Sequence, residues 1–335
     1  MIELLKKLCT VPAPAGSESP LHRVIKEYLA EKELQYTTDP LGNLIVRKKQ
    51  KRPDTKTLLL DAHADSIFMT ITGHCENGFL RFAQNGFDTR TLPGQEVEIL
   101  SLPPIKGLIS ATAPHLASNM EKALPVSELF IDTGSDRNFL QESVPVGTKA
   151  ILAPTFKALS EDIITGTSLD DRAGCAAIIE AFLSVYDTDL PYDLILCFSA
   201  QEELHRRGAQ TAASNIQPDL AIVVDVTHGV TYDNSKNAFP LGSGVSIGCG
   251  PTLDKKATKE LLACAKKKEI KHTREIMGGD TGTNAHVIAV AGSGTPCALL
   301  SLPLRYMHTP VETASRSDLN ALVALLTAYL KEVQL

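Results

Sequence analysis

Two adjacent acidic residues, Glu202 and Glu203, follow an apolar run at residues 194–198. The run predicts a buried strand, which brings both carboxylates to the point where the chain leaves a sheet. Neighbouring carboxylates in that position need a cation, a basic partner or a shared proton, because each raises the pKa of the other and burial raises both. A solvated loop after the strand is the simpler alternative for an isolated pair, since short motifs often match by chance.

Side chains suited to metal binding also stand at other predicted strand ends or where a loop enters a helix. They are His63, Asp65, Asp170, Asp225 and His308. Histidines and carboxylates without a well-placed cysteine suit zinc, cobalt or manganese better than a thiolate site or a calcium loop. A lone histidine at a strand end is more often a hydrogen-bonded structural residue. The inference of a metal site therefore depends on finding such residues at the ends of several separate segments, and not on any one of them.

Alternating strands and helices carry these residues. After a predicted strand at residues 57–65, the alternation stops and then resumes beyond residue 163. Predicted helices at 175–185, 256–268 and 317–333 then alternate with strands at 194–198, 220–225 and 297–301. This order predicts an α/β fold with a mostly parallel or mixed sheet flanked by helices. Ligands bind beyond the carboxyl ends of the strands in such sheets, which is where the candidate residues lie.

Residues 66–162 have a different sequence pattern from the rest of the chain. Short β-rich runs separated by Gly, Pro, Asn and Asp replace the helical periodicity. We therefore predict a small all-β domain at 66–162, inserted into a discontinuous catalytic domain of residues 1–65 and 163–335. Leu116, Met120 and Leu124 stand at helical spacing and predict one short helix within the insertion.

Composition narrows the possible functions. Of the 335 residues, 43% are hydrophobic and 21% are charged, which is typical of a globular protein. The net charge is −6, which does not favour binding to nucleic acid or to anionic membranes. The seven cysteines are scattered and odd in number, which favours a reducing compartment. The N-terminus has charges where a signal peptide needs an apolar stretch, and no run approaches the ~20 apolar residues of a membrane span. We therefore expect a cytoplasmic protein without nucleic-acid or membrane partners.

Several motifs, in order along the whole chain, resemble those of one enzyme family. The motifs are residues 13–18 (APAGSE), 41–45 (LGNLI), 62–65 (AHAD), 169–174 (LDDRAG), 201–203 (QEE), 207–209 (RGA), 224–227 (VDVT), 250–251 (GP) and 303–312 (PLRYMHTPVE). The sequence is similar to the tetrahedral (TET) and glutamyl aminopeptidases, a family of dinuclear metallopeptidases of which some members are labelled endoglucanases. The resemblance implies a zinc-peptidase-like catalytic domain.

The resemblance also implies a set of metal ligands. Asp170 would bridge two divalent ions per subunit, zinc or cobalt, with manganese as an alternative. His63 and Asp225 would complete one metal site, and Glu203 and His308 would complete the other.

Two further residues receive catalytic roles from the resemblance. Asp65 would hold the His63 imidazole in its metal-binding tautomer. Glu202 would act as general base, accepting a proton from water and delivering it to the leaving amine. Peptides are then the expected substrates. The inserted domain would mediate dimer contacts, and the dimers would assemble into a dodecameric homo-oligomer that admits only short peptides.

The sequence departs from the family pattern at two places. Asn284 stands where the family usually has an aspartate, which puts the shape of the substrate pocket in doubt. His205 and Arg206 replace a glycine and an apolar residue, and we expect them to affect local packing more than the rim of the site. We expect His22, elsewhere in the chain, on a helical surface.

Other functions remain open from the sequence. A related dinuclear amidase, either a carboxypeptidase or an N-acyl amino acid deacylase, could use the same metals and base. A non-catalytic homologue is less consistent with the presence of both histidines, the bridging aspartate and the glutamate pair. A glycosidase would need two free carboxylates, and those found here are expected to bind metal.

Overall fold

The computed structural model describes residues 1–48, 54–111 and 123–335, without the side chain of Lys48. These residues form two compact units. The larger contains Met1–Ser66, Phe156–Met307 and Val311–Leu335, and the smaller contains Ile67–Thr155 and His308–Pro310. Residues 156–162, which we expected in the insertion, thus belong to the larger unit. The short helix predicted around Leu116 and Met120 lies outside the described residues.

Strands and helices are numbered here in chain order. The strands are β1 (Gln35–Thr38), β2 (Leu44–Lys48), β3 (Thr57–His63), β4 (Phe68–His74), β5 (Phe79–Asn85), β6 (Glu96–Ile99), β7 (Ile105–Ser110), β8 (Phe130–Asp132), β9 (Lys149–Leu152), β10 (Phe156–Ala158), β11 (Ile163–Gly166), β12 (Asp193–Ser199), β13 (Leu220–His228), β14 (Val245–Cys249), β15 (His272–Ile276), β16 (Cys297–Arg305) and β17 (Glu312–Ser315). The helices are α1 (Ile2–Cys9), α2 (Ser19–Tyr28), α3 (Arg137–Ser143), α4 (Leu169–Val185), α5 (Arg207–Ile216), α6 (Lys255–Lys267), α7 (Asn284–Ile288) and α8 (Arg316–Glu332).

The larger unit contains one mixed sheet. Its strands lie in the order β1-β2-β12-β3-β13-β16-β17-β11-β10, and β14 pairs with both β15 and β16. The central strands β12, β3, β13 and β16 run parallel. The predicted α/β fold class is therefore confirmed, including a separate small β unit.

Strand register brings several candidate residues together at the carboxyl ends of the central strands. His63 in β3 pairs with Ser199 in β12, so Glu202 and Glu203 follow beside it. Asp61 pairs with Val223 in β13, which places Asp225 level with the end of β3. Parallel neighbours end on the same side, and their side chains therefore gather there.

Both faces of this sheet are packed with apolar side chains. Leu58 and Leu60 of β3 belong to a cluster that includes residues from α1, α2, α4, α6 and α8. Leu59, between them in sequence, belongs to a second cluster with residues from α5 and α7. Side chains alternate between the faces of a strand, so a strand covered on both sides is apolar throughout. The polar residues at its carboxyl end thus mark the change from core to site.

The smaller unit is a closed antiparallel barrel. Its strands lie in the order β4-β5-β8-β7-β6-β9, and β9 closes the ring by pairing with β4. Val97 and Ile99 of β6 are buried in its core, whereas Glu96 is exposed. Each strand of the described barrel pairs with a neighbour on both sides, which limits uncontrolled strand association.

Throughout the described ranges, every helix is too short or too polar to cross a membrane.

Candidate metal centre

His63 lies between two carboxylates at the end of β3. It is 2% exposed, and its Nε2 is 2.9 Å from Asp170 Oδ1. Its Nδ1 is 3.5 Å from Asp65 Oδ1. Burial lowers the pKa of His63, but the two nearby carboxylates of Asp170 and Asp65 outweigh burial and raise the pKa well above its ordinary value.

Three ligand-type side chains converge at this point. One ligand atom from each of His63, Asp170 and Glu203 lies within 4.8 Å of the others. They come from the end of β3, the start of α4 and the turn after β12, which are far apart in sequence. Together they provide one imidazole and two carboxylates, a set of ligands that can bind divalent zinc, cobalt or manganese.

Asp170 lies in an irregular first turn of α4. Asp170 and Asp171 do not have helical backbone angles, and the peptide bond between them is cis. The backbone N–H of Asp170 donates to Glu312 Oε2 at 3.2 Å. The buried carboxylate of Glu312 thus fixes the segment that presents Asp170.

The acidic groups around His63 disfavour one another's ionised forms. Burial raises the pKa of Glu202 to about 9; the charge of His63 opposes this, while Asp225, Glu203 and Asp170 add to it. Burial likewise raises the pKa of Asp225 to about 8, with Asp170 and Glu203 adding to the shift and His63 opposing it. A cation among these groups would favour their ionised forms. The cluster therefore fits a divalent metal by its charge as well as by its ligand atoms.

Asp65 holds the backbone that carries the glutamate pair. Its Oδ1 accepts from the N–H of Glu202 at 2.9 Å, and its Oδ2 accepts from the N–H of Glu203 at 3.1 Å. Because the same carboxylate lies beside His63, one side chain links the imidazole to the turn after β12. The family resemblance implied that Asp65 lies beside His63, whereas the two backbone bonds were not predicted, and the role of Asp65 in orienting the imidazole stays a prediction.

Residues 42–325 match the family model of the M42 glutamyl aminopeptidases. The chain belongs to this family. It is 34% identical to a putative aminopeptidase of Acetivibrio thermocellus over 97% of each chain. It is also 30% identical to the lysyl aminopeptidase of Pyrococcus furiosus, over 99% of this chain and 97% of the relative.

A solved structure agrees with these sequence matches. The Pyrococcus horikoshii TET1 peptidase superposes with a TM-score of 0.88 at 29% identity, covering 99% of each chain. The predicted family is therefore confirmed, and this M42 protein is an enzyme that hydrolyses peptide bonds.

His308 belongs to the smaller unit of this M42 protein. Its Nδ1 lies 3.1 Å from the carbonyl oxygen of Gly86 in the same unit. Its role as a metal ligand stays a prediction.

Asn284 occupies a buried position at the start of α7. It is 1% exposed, and its Nδ2 donates to Asp61 Oδ2 and to Ser199 Oγ, each at 2.8 Å. Burial raises the pKa of Asp61 to about 6, and the bonds from Asn284 and Ser199 counteract the rise. The amide thus stabilises the buried carboxylate of Asp61 in β3 and joins it to Ser199 in β12, a role that an aspartate could not fill without sharing a proton.

Restoring the family residue by Asn284→Asp is expected to destabilise the fold by about 1–3 kcal/mol at pH 8, because a donor becomes a second buried acid facing Asp61. The new carboxyl would have a higher pKa folded than unfolded. The loss is therefore largest at high pH and shrinks as the pH falls toward 5. Thermal unfolding at both pH values measures this, with the exposed Asn234→Asp as control. Equal stability of N284D and the native protein at pH 8 would contradict this role of the amide.

Proposed function

We propose that this M42 protein is a metal-dependent aminopeptidase that removes N-terminal residues from peptides. The observation that carries the proposal is the convergence of His63, Asp170 and Glu203 within 4.8 Å, with Glu202 beside them. The family membership supports the peptide as substrate.

Two divalent ions, zinc or cobalt with manganese as an alternative, are the proposed cofactors. His63, Asp170, Glu203 and Asp225 are the residues of the larger unit that would hold them. When bound, such ions polarise the scissile carbonyl and lower the pKa of water toward ~7. Asp170 would contribute to both metal sites, as the family resemblance implies. Its carboxylate lies close to His63, and a ligand atom of Glu203 lies within 4.8 Å of both, which supports this role.

Glu202 is the proposed general base. The family resemblance assigns it this role, and it is not among the proposed ligands, whereas its neighbour Glu203 belongs to the converging group. The carboxylate accepts a proton from the attacking water and later delivers it to the leaving amine. Positive charge at the centre favours its ionised form, as the charge of His63 already does. Asp65 fixes its backbone through the amide and thereby its direction.

A substrate panel tests this proposal. Zinc- or cobalt-loaded protein is given amino acid p-nitroanilides with a free amino group, including lysyl and glutamyl derivatives, since relatives are named for both. The same compounds with an acylated amino group and a set of carboxypeptidase substrates run beside them. We expect cleavage of the free-amine set alone. Cleavage of only the acylated or C-terminal set would identify an amidase of another class and refute the aminopeptidase.

Homo-oligomerisation is part of the proposal. The similar TET1 peptidase is described as assembling into a tetrahedron or a large octahedral shell. We infer a dodecamer built from dimers, with the smaller unit making the dimer contacts. Size-exclusion chromatography with light scattering tests the oligomeric state. A monomer at all concentrations would refute the proposed dodecamer.

The cytoplasmic location, and the lack of nucleic-acid and membrane partners, stay predictions.

A further inference from the structure

The turn after β12 is held by side chains from distant segments. The backbone amides of residues 200–203 all donate to such side chains. The acceptors are Asn43 for Ala200 (2.8 Å), Glu18 for Gln201 (3.2 Å) and Asp65 for Glu202 and Glu203 (2.9 and 3.1 Å). We call residues 200–203 the glutamate turn. Its backbone is fixed from outside, so the directions of Glu202 and Glu203 depend on these acceptors.

The carboxylate of Glu18 binds backbone outside its own helix. Glu18 precedes the first residue of α2 and makes no capping bond to that helix. Its Oε1 instead accepts from the N–H of Gly16 at 2.5 Å and from that of Gln201. Glu18 is 4% exposed, and burying a carboxylate costs several kcal/mol unless it is compensated. The two amides therefore account for the buried position of this carboxylate.

A buried guanidinium completes the surroundings of Glu18. Arg172 is fully buried and interacts electrostatically with both Glu18 and Asp65. Its Nη2 donates to the carbonyl oxygen of Ala13, in the loop that leads to Glu18. Arg172 thus supplies positive charge to both carboxylates that hold the glutamate turn.

The backbone of Gln201 explains why the turn needs such support. Its φ is +57°, in the left-handed region that costs a residue other than glycine about 1–2 kcal/mol. A disfavoured conformation persists only where the surrounding structure fixes it. The bond from the Gln201 N–H to Glu18 and the bond from its Nε2 to the carbonyl of Leu41 (3.3 Å) both fix it.

We propose that Glu18 is a positioning residue for Glu202, acting through the amide of Gln201 to hold the glutamate turn in its active form. The inference rests on the proposed function, because it presumes that Glu202 moves the proton. Asp65 is less suited to reveal this effect, since it also contacts His63. The hydrogen bonds of Glu18 go to Gly16 and Gln201, neither of which is a proposed ligand.

The first test compares Glu18→Ala with Glu27→Ala, an exposed position on the same helix. Alanine removes the oxygen that accepts from Gly16 and Gln201, whereas glutamine would keep an acceptor there. In E18A the kcat for a free-amine substrate should fall about 10- to 100-fold, because small misplacement of a catalytic group has effects of that size. The KM, the metal content and the metal affinity should stay within about two-fold of the native protein. E27A should match the native protein in all four. An unchanged kcat in E18A, or a parallel loss of metal and kcat, would overturn the proposal.

Hydrogen exchange supplies a second readout that does not need activity. In E18A the peptide spanning residues 200–206 should exchange its amides about 10-fold faster, while peptides from β3 and β13 stay unchanged. If the native protein cleaves no substrate, the proposed function fails, but this exchange result still decides whether Glu18 holds the turn. Unchanged exchange at 200–206 would refute that role. Should E18A not fold, E18D replaces it, since a shorter carboxylate cannot reach both amides. The expected changes in kcat and in exchange are then the same.

Discussion

Replacing Glu202 by glutamine should lower the kcat for peptide hydrolysis by about 10²–10⁴-fold, the usual contribution of a general base. Glutamine keeps the size of the side chain and its backbone bond to Asp65 but cannot accept a proton. The metal content should stay native, because Glu202 is not among the proposed ligands His63, Asp170, Glu203 and Asp225. Steady-state kinetics on metal-loaded E202Q, joined to elemental analysis, measures both quantities.

The neighbouring variant Glu203→Gln is the matched control for this result. It makes the same chemical change one residue later, at a residue whose carboxylate belongs to the converging group. E203Q should lose metal as well as activity, and adding excess metal should restore part of its turnover. Retained turnover in E202Q, or the same metal loss in both variants, would show that the two glutamates do not have separate roles.

Replacing Asp65 by asparagine is expected to weaken metal affinity by about 10- to 100-fold, the usual effect of removing a group that orients a metal-bound histidine. The kcat at saturating metal should fall as well. Asparagine has only one acceptor oxygen in place of the two that hold the amides of Glu202 and Glu203. Competition with a chromophoric chelator measures the affinity, and kinetics at excess metal measure the remaining loss.

The exposed Asp187→Asn serves as control for Asp65, since it removes the same charge just beyond the C-terminal end of α4, whose opposite end carries Asp170. It should leave affinity and kcat unchanged. Native metal affinity in D65N would mean that His63 is oriented without this carboxylate.

The sequence predicted the convergence of site residues because a general rule of sheet geometry applies. Parallel strands end on one side, so His63 and Glu203 could be placed together from their positions after apolar runs. Asp170 was a candidate from its place where a loop enters a helix, but its role as the ligand shared by two metals came only from the family resemblance.

The supports of the site could not be predicted in the same way. The bonds from Glu18 and Asn43 join segments more than 150 residues apart, and such bonds leave no pattern in the local sequence. The left-handed backbone of Gln201 also gave no signal, because it is fixed by those distant groups and not by a glycine.

Short or polar strands were missed for a related reason. The β15 sequence, His272–Ile276, contains one aliphatic residue, and the half-exposed edge position it occupies does not demand more. The prediction for His22 was wrong, since its side chain is 5% exposed. Burial lowers the pKa of His22 to about 4, with Lys26 and Arg172 adding to the shift. The imidazole is therefore neutral, and a neutral ring can occupy a place where helix periodicity alone suggests a charged surface residue.

Anomalous diffraction from zinc-loaded crystals, with data collected on both sides of the zinc absorption edge, tests the central claim most directly. The proposed dinuclear centre predicts two anomalous peaks that share Asp170 as a ligand, one also contacting His63 and the other Glu203, each with ligand distances of about 2.0–2.2 Å. A single peak there would reduce the centre to one ion. Zinc bound only elsewhere, or no peak at Asp170 in fully loaded and active crystals, would contradict the account.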